Sequence, residues 1–151
     1  MTRLATFAID GGSYGVDVAR VQEVLRPQTV TPVPLAPPEV AGLINLRGEI
    51  VTALDLRVRL GAAPRPEAGS MNVIMTTEHG PVSLLVDEAG DVLELDDATR
   101  EAPPATLRGV ARDLIAAVYP LPDRLVMELD LARAIDDQPT PSGTDVEVED
   151  R

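Results

Sequence analysis

The chain has 151 residues, 44% of them apolar, and carries 25 acidic groups against 13 basic ones, for a net charge of −12. All the basic side chains are arginine, cysteine is absent, and only Phe7, Tyr14 and Tyr119 are aromatic. Such a chain can bury one aliphatic core. It is repelled by phosphate backbones and anionic lipid surfaces, and it can form neither disulfides nor thiolate metal sites.

Leu4–Ile9 reads as a strand, Asp10-Gly11-Gly12-Ser13 as a turn, and Tyr14–Val18 as the return strand, with Tyr14, Val16 and Val18 alternating against Gly15 and Asp17. The N-terminal apolar run meets this polar turn too soon for a signal peptide. No apolar run approaches the roughly 20 residues of a membrane span, so the expectation is a soluble, cytoplasmic chain. Val18, Val21, Val24 and Leu25 follow helical spacing, which predicts one or two helical turns over Ala19–Leu25, stopped by Pro27. Thr29–Pro34 reads as an extended edge segment, because proline cannot donate to a central ladder. Pro37-Pro38-Glu39 reads as the opening of a short helix into Gly42.

Gly42–Val51 reads as two strands joined at Arg47-Gly48, with glycine supplying the positive φ of a tight turn. Asp55–Leu60 closes the first half, and the Ala-, Pro- and Gly-rich stretch from Gly61 to Ser70 reads as a linker. Met71–Thr76 and Val82–Val86 form a second hairpin around Glu78-His79-Gly80. From Asp136 the chain turns polar and acidic, the composition of a flexible tail.

The halves resemble each other. Val16-Asp17-Val18 and Glu23-Val24-Leu25 match Leu84-Leu85-Val86 and Asp91-Val92-Leu93 at an offset of 68, and Ile50–Leu56 matches Leu125–Leu131 at an offset of 75. The change of register falls in connecting loops, where insertions are tolerated. A duplication of this kind predicts two small barrel-like sheets of about five strands each, with a groove between them.

Catalytic chemistry is missing by subtraction. His79 is the only histidine, sits in a predicted turn, and has only Glu78 beside it. Without cysteine or further histidines, a zinc site of the familiar kinds is excluded. Gly11-Gly12-Ser13-Tyr14-Gly15 leads into a strand and no lysine follows, so it is hairpin chemistry and not a phosphate loop. Asp96-Asp97 and Asp136-Asp137 lack spaced partners, and Ser13, Ser70 and Ser83 lack a base. The expectation is a protein that is not an enzyme and needs no cofactor or metal.

Arg47 is the residue a tight turn least requires. Its guanidinium can fork two bonds to a carboxylate, which makes it either an internal clamp or a docking contact. Glu23 is the predicted recipient. An Arg47 lying between apolar strands makes the pair partly buried, where loss of one partner costs about 3–5 kcal/mol.

In order and spacing, Phe7-Ala8-Ile9, Tyr14–Val18, Val21-Gln22-Glu23-Val24, Gly42-Leu43-Ile44-Asn45-Leu46-Arg47-Gly48 and Asp55-Leu56-Arg57 resemble the CheW-like chemotaxis coupling family. Leu85-Val86-Asp87, Asp91-Val92-Leu93 and Leu125–Leu131 continue the resemblance, which covers roughly residues 5 to 135. It implies a mainly β fold of two SH3-like five-stranded β-barrel subdomains with short helices around a shared hydrophobic core. The approximate subdomains are 15–70 and 71–135, with the N-terminal strand packed between or onto them and 136–151 as an acidic tail.

The resemblance also implies a non-enzymatic scaffold that couples chemoreceptor cytoplasmic tip helices to the regulatory domain of a CheA-type histidine kinase, held at receptor arrays through its partners. Carried over by position, the receptor-binding candidates are Val21, Glu23, Gly42, Arg47 and Val92, with Val82 and Leu85 as groove walls. Asn45, Gly48 and the Glu23–Arg47 pair form the structural turn and clamp. Ser83 and Glu88 depart from the small residues the family favours there, and the stretch from Pro27 to Pro38 is unusually stiff.

The alternatives are a coupling protein of a parallel motility or developmental pathway, and a detached kinase regulatory domain without ATP-binding motifs or a phosphoacceptor histidine. A small-barrel nucleic-acid binder is disfavoured, since a net charge of −12 and three aromatics deny it phosphate attraction and stacking platforms.

Overall fold

The computed structural model describes residues 1–63, 70–105, 107 and 109–136. Most of the predicted linker and the acidic tail from 137 onward lie outside the described residues. Ten strands form the body: β1 (Thr2–Ile9), β2 (Gly12–Asp17), β3 (Val21–Leu25), β4 (Val40–Leu46), β5 (Glu49–Asp55), β6 (Met71–Thr77), β7 (Gly80–Val86), β8 (Glu88–Leu95), β9 (Ile115–Pro120) and β10 (Leu125–Leu129). Two short helices, α1 (Leu56–Arg59) and α2 (Val110–Leu114), and helical turns at Val18–Arg20, Asp97–Thr99 and Ala132–Asp136 complete them.

The strands hydrogen-bond as two five-stranded sheets, in the orders β8-β1-β2-β10-β9 and β3-β6-β7-β5-β4. Neither sheet is built from one continuous stretch of chain. The hairpin β6–β7 completes the sheet of β3, β4 and β5, while β1–β2 join β8, β9 and β10. The N-terminal strand is an inner strand of its sheet, between β8 and β2. Each half of the chain thus gives its hairpin to one sheet and its remaining strands to the other, the arrangement produced when two copies of one unit exchange an element.

The pairing registers carry the repeat. Leu4 opposes Asp17 and Leu93 in one sheet, and Asn72 opposes Leu85 and Leu25 in the other, both shifted by 68. The parallel pair Tyr14–Met127 corresponds to Val82–Thr52. Even the bulges correspond, at Ala5/Phe7 against β8 and at Val21/Glu23 against β6. Asp55 caps α1 by accepting from the amides of Arg57 and Val58, and Asp130 accepts from the Arg133 amide after β10.

Three cores follow from this arrangement. The faces that meet share one, containing Phe7, Val16, Leu54, Met75, Leu84 and Leu129. Each sheet also curls around a core of its own, Ile44, Leu46, Val51 and Ile74 in one and Leu4, Leu95, Tyr119 and Val126 in the other. The private cores differ at one matched pair. Leu4 lies over Gly15, where a Cβ would come within 3.0 Å of it. At the corresponding positions the buried Ser83 hydroxyl donates to the side-chain oxygen of Asn72 at 2.8 Å, and the Asn72 amide donates to the Arg26 carbonyl.

Two elements differ from expectation. Val21–Leu25 is a strand, not a helix, preceded by a single helical turn capped by Asp17. Pro37–Glu39 forms a turn closed by the Val40 amide on the Pro37 carbonyl, not a helix.

Candidate functional site

In the β3–β4–β5–β6–β7 sheet, β3 and β4 stand at opposite ends of the strand order. The sheet nevertheless rolls until those ends meet. After β3 the chain continues to Thr31, whose amide and carbonyl exchange two 2.8 Å bonds with Leu43 of β4. Glu101 and Val118 make the corresponding closure in the other sheet. No further ladder joins these ends among the described residues, so a single backbone bridge closes each roll.

Gly42 makes the first closure possible. Its φ is +151°, and a Cβ there would stand 2.2 Å from the Thr31 carbonyl oxygen. This candidate is buried, and its lack of a side chain is what lets the two backbones approach.

A second fastening lies at the adjoining turn. Arg47 and Gly48 both have positive φ, 52° and 89°, as a two-residue hairpin turn requires. The Gly48 amide donates to the Asn45 side-chain oxygen at 2.8 Å. From this turn the Arg47 guanidinium reaches across the roll and donates to the Glu23 carboxylate of β3.

The pair forms, but it is not the partly buried clamp expected. Arg47 is 64% exposed and Glu23 28%. An ion pair this wet contributes at most about 1 kcal/mol, not the 3–5 of a buried one. Arg47 sits at the tip of a hairpin, outside the apolar strands flanking it in sequence, so its charge stays hydrated and can exchange carboxylate partners at small cost.

The other candidates scatter. Val21 is half-buried and packs against the shared core. Val82 does the same from β7, and Leu85 lies 8% exposed inside the private core with Ile44 and Ile74. Leu85 is thus a wall of the fold, while Val82 keeps part of its surface exposed. Ser83 is fully buried as well, so it shapes the interior of the sheet. Glu88 is exposed at the rim of an open cleft on the other sheet, lined by Phe7, Ala89, Gly90, Leu125 and Met127. Val92 is 48% exposed on β8.

The register shows a feature that residue-by-residue reading passed over. The exposed large apolar side chains include two matched pairs: Val24 with Val92, and Ile50 with Leu125. Their alternation with buried Val51 and Val126 was a usable signal. Between the sheets lies another missed group, Arg57 with Asp87 and Asp10.

The description of a CheW-like domain matches residues 3–138. The chain belongs to the CheW-like family. Among its relatives, the chemotaxis protein CheW of Bacillus subtilis is 28% identical over 144 residues, covering 93% of this chain and 90% of that protein. CheW of Treponema pallidum is 29% identical over 121 residues, 77% of this chain and 71% of the relative. The crystal structure of scaffolding protein TtCheW from Thermoanaerobacter tengcongensis superposes with a TM-score of 0.78 at 25% identity, covering 88% of this chain and 86% of that one. The two rolled five-stranded sheets are this family's SH3-like architecture.

Proposed function

We propose that this CheW-like chain is a non-enzymatic adaptor of chemotaxis signalling, coupling chemoreceptor cytoplasmic tips to a CheA-type histidine kinase. The observation that carries the reading is the rolled sheet fastened at its open end by Gly42 and by the exposed Arg47–Glu23 pair. There a charged, exchangeable contact stands beside the exposed Val24 and Ile50. A helical partner needs this combination, apolar contact for affinity and a few charges for register. Val21 packs against the shared core from the β3 edge. Val92, a receptor-side candidate by resemblance, is exposed on the second sheet, as is the matched Leu125, and the two serve instead as apolar contacts for the kinase regulatory domain.

No helix among the described residues is long and apolar enough to cross a membrane. In this reading the adaptor works in the cytoplasm and reaches receptor arrays through its partners. Signalling then needs only different affinities for the two states of each partner.

The test is titration of receptor-tip helices into the chain and into Arg47→Ala. The adaptor reading expects binding by the parent and a loss of about tenfold or more in the variant. Absence of binding by the folded parent refutes it.

A further inference from the structure

The chain crosses between the sheets at two matched places, and they are built differently. At the crossing from β7 to β8, Arg57 of α1 donates through Nη1 to Oδ2 of Asp87 at 2.8 Å and through Nη2 to Oδ1 of Asp10 at 3.3 Å. Its Nε donates to the Ala63 carbonyl at 2.8 Å. The Asp10 amide donates to the same Asp87 oxygen at 2.8 Å, and the Asp87 amide donates to the Ala8 carbonyl at 3.0 Å. Arg57 and Asp87 are only 19% and 17% exposed.

These three residues come from three places in the topology. Arg57 follows β5 of one sheet, Asp10 turns the β1–β2 hairpin of the other, and Asp87 lies on the segment between the sheets. At the matched crossing from β2 to β3 the corresponding residues are Ala132, Glu78 and Ala19, so no such ion pair can form. What holds there is Arg20, donating through Nε to the Thr76 carbonyl at 3.0 Å. Among the described residues, the duplicated framework thus carries a charged, forked tie at one crossing only. A forked guanidinium fixes direction as well as distance, because its donors are coplanar and rigid.

We propose that Arg57, Asp87 and Asp10 form a joint that sets the angle between the two sheets, making Arg57 a positioning residue for partner surfaces it does not itself touch. Through the joint, the surface at Arg47 and Glu23 is held in a fixed relation to the surface at Val92 and Leu125. The geometric part stands independently of what binds. The functional part rests on the adaptor reading.

The absence of cysteine permits a direct test. Glu49 and Glu94, exposed on opposite sheets, are changed to cysteine and spin-labelled, and the distance between them is measured by pulsed electron resonance. Arg57→Lys keeps the charge and loses the fork, and Asp10→Asn weakens only the exposed leg. The joint predicts one narrow distance in the parent, a displaced or broadened distribution in Arg57→Lys, and a smaller change in Asp10→Asn. Ile44→Val, which loosens a private core away from the joint, leaves the distance unchanged.

Distributions identical to the parent in both joint variants overturn the proposal. If Arg57→Lys does not fold, Asp10→Asn alone decides by the same criterion. The adaptor reading is tested separately with receptor-tip helices: a parent that binds, with a joint variant about tenfold weaker, supports the functional part. A displaced variant that binds as tightly as the parent overturns that part. A parent that does not bind removes the adaptor reading and leaves the joint to be judged on the distance alone.

Discussion

Replacing Gly42 with alanine inserts a methyl carbon 2.2 Å from the Thr31 carbonyl oxygen, 2.7 Å from its carbon and 2.9 Å from Cγ1 of Val30. Two of those atoms are backbone, so no rotamer change relieves the contact, and Thr31 must move away from Leu43. Both 2.8 Å bonds of the closing bridge are then lost, at about 1 kcal/mol each. The φ of +151° adds strain of order 1–3 kcal/mol for a residue with a Cβ. The sum is about 3–5 kcal/mol, which for a domain of this length lowers Tm by about 6–20 °C. Thermal denaturation measures the shift, and hydrogen exchange at the Thr31 and Leu43 amides locates it, since both lose protection before the rest of the sheet. A Gly42→Ala protein with Tm within about 2 °C of the parent and both amides protected refutes the reasoning. Gly42 would then act only through a partner and not through closure of the roll.

Three further outcomes follow from particular contacts. Arg47→Ala lowers stability by less than about 1 kcal/mol, because the pair it breaks is mostly hydrated; a chemical-denaturation midpoint shifted by several kcal/mol contradicts this. Asn72→Leu alone overpacks against Ser83 and removes the acceptor of its buried hydroxyl, costing about 1–3 kcal/mol. Adding Ser83→Gly recreates the Leu4–Gly15 solution of the other sheet, and a double-mutant cycle should recover most of that loss. Asp97 is held below its ordinary value of 3.8, first by the Thr2 hydroxyl donated to it, then by the N-terminal ammonium. A carboxylate with a depressed folded-state pKa stabilises above its unfolded pKa and loses that contribution as pH falls through the folded one. The start of β1 therefore frays on acidification below 3.8, and Thr2→Ala moves the Asp97 titration, followed by NMR, upward toward that value.

Much of the fold was legible because the strands obey period two and their turns carry glycine. The hairpins around Asp10-Gly11, Arg47-Gly48 and His79-Gly80 were all readable from those signals. Val21–Leu25 was misread for a physical reason. A bulge falls between Val21 and Glu23, and one extra residue in a strand turns spacing by two locally into spacing by three. Val18, Val21 and Val24 then imitate a helical face. The repeat was visible in Ile50–Leu56 and Leu125–Leu131, but the exchange of strands between halves was not. Every β5 residue would have the same pattern whether its parallel neighbour were β2 or β7, and only tertiary pairing chooses β7.

At the candidate site, the partnership of Arg47 and Glu23 could be anticipated, while its exposure could not. Turn chemistry specifies the backbone at Arg47 but not how far the tip projects into water. Leu85 fell inside because alternate residues of an inner strand face the private and the shared core, and Val82 on the opposite face is half-buried against the shared one. The joint of Arg57 with Asp87 and Asp10 joins residues 30 and 47 positions apart, beyond any local spacing rule.

In the adaptor reading one chain holds two partners at once. Co-sedimentation of the chain with receptor-tip helices and a kinase regulatory domain, together and separately, tests this most directly. A three-component complex is expected, from which Arg47→Ala loses the receptor helices while keeping the kinase domain. Competition between the two partners for a single surface, or a folded chain that binds neither, contradicts it.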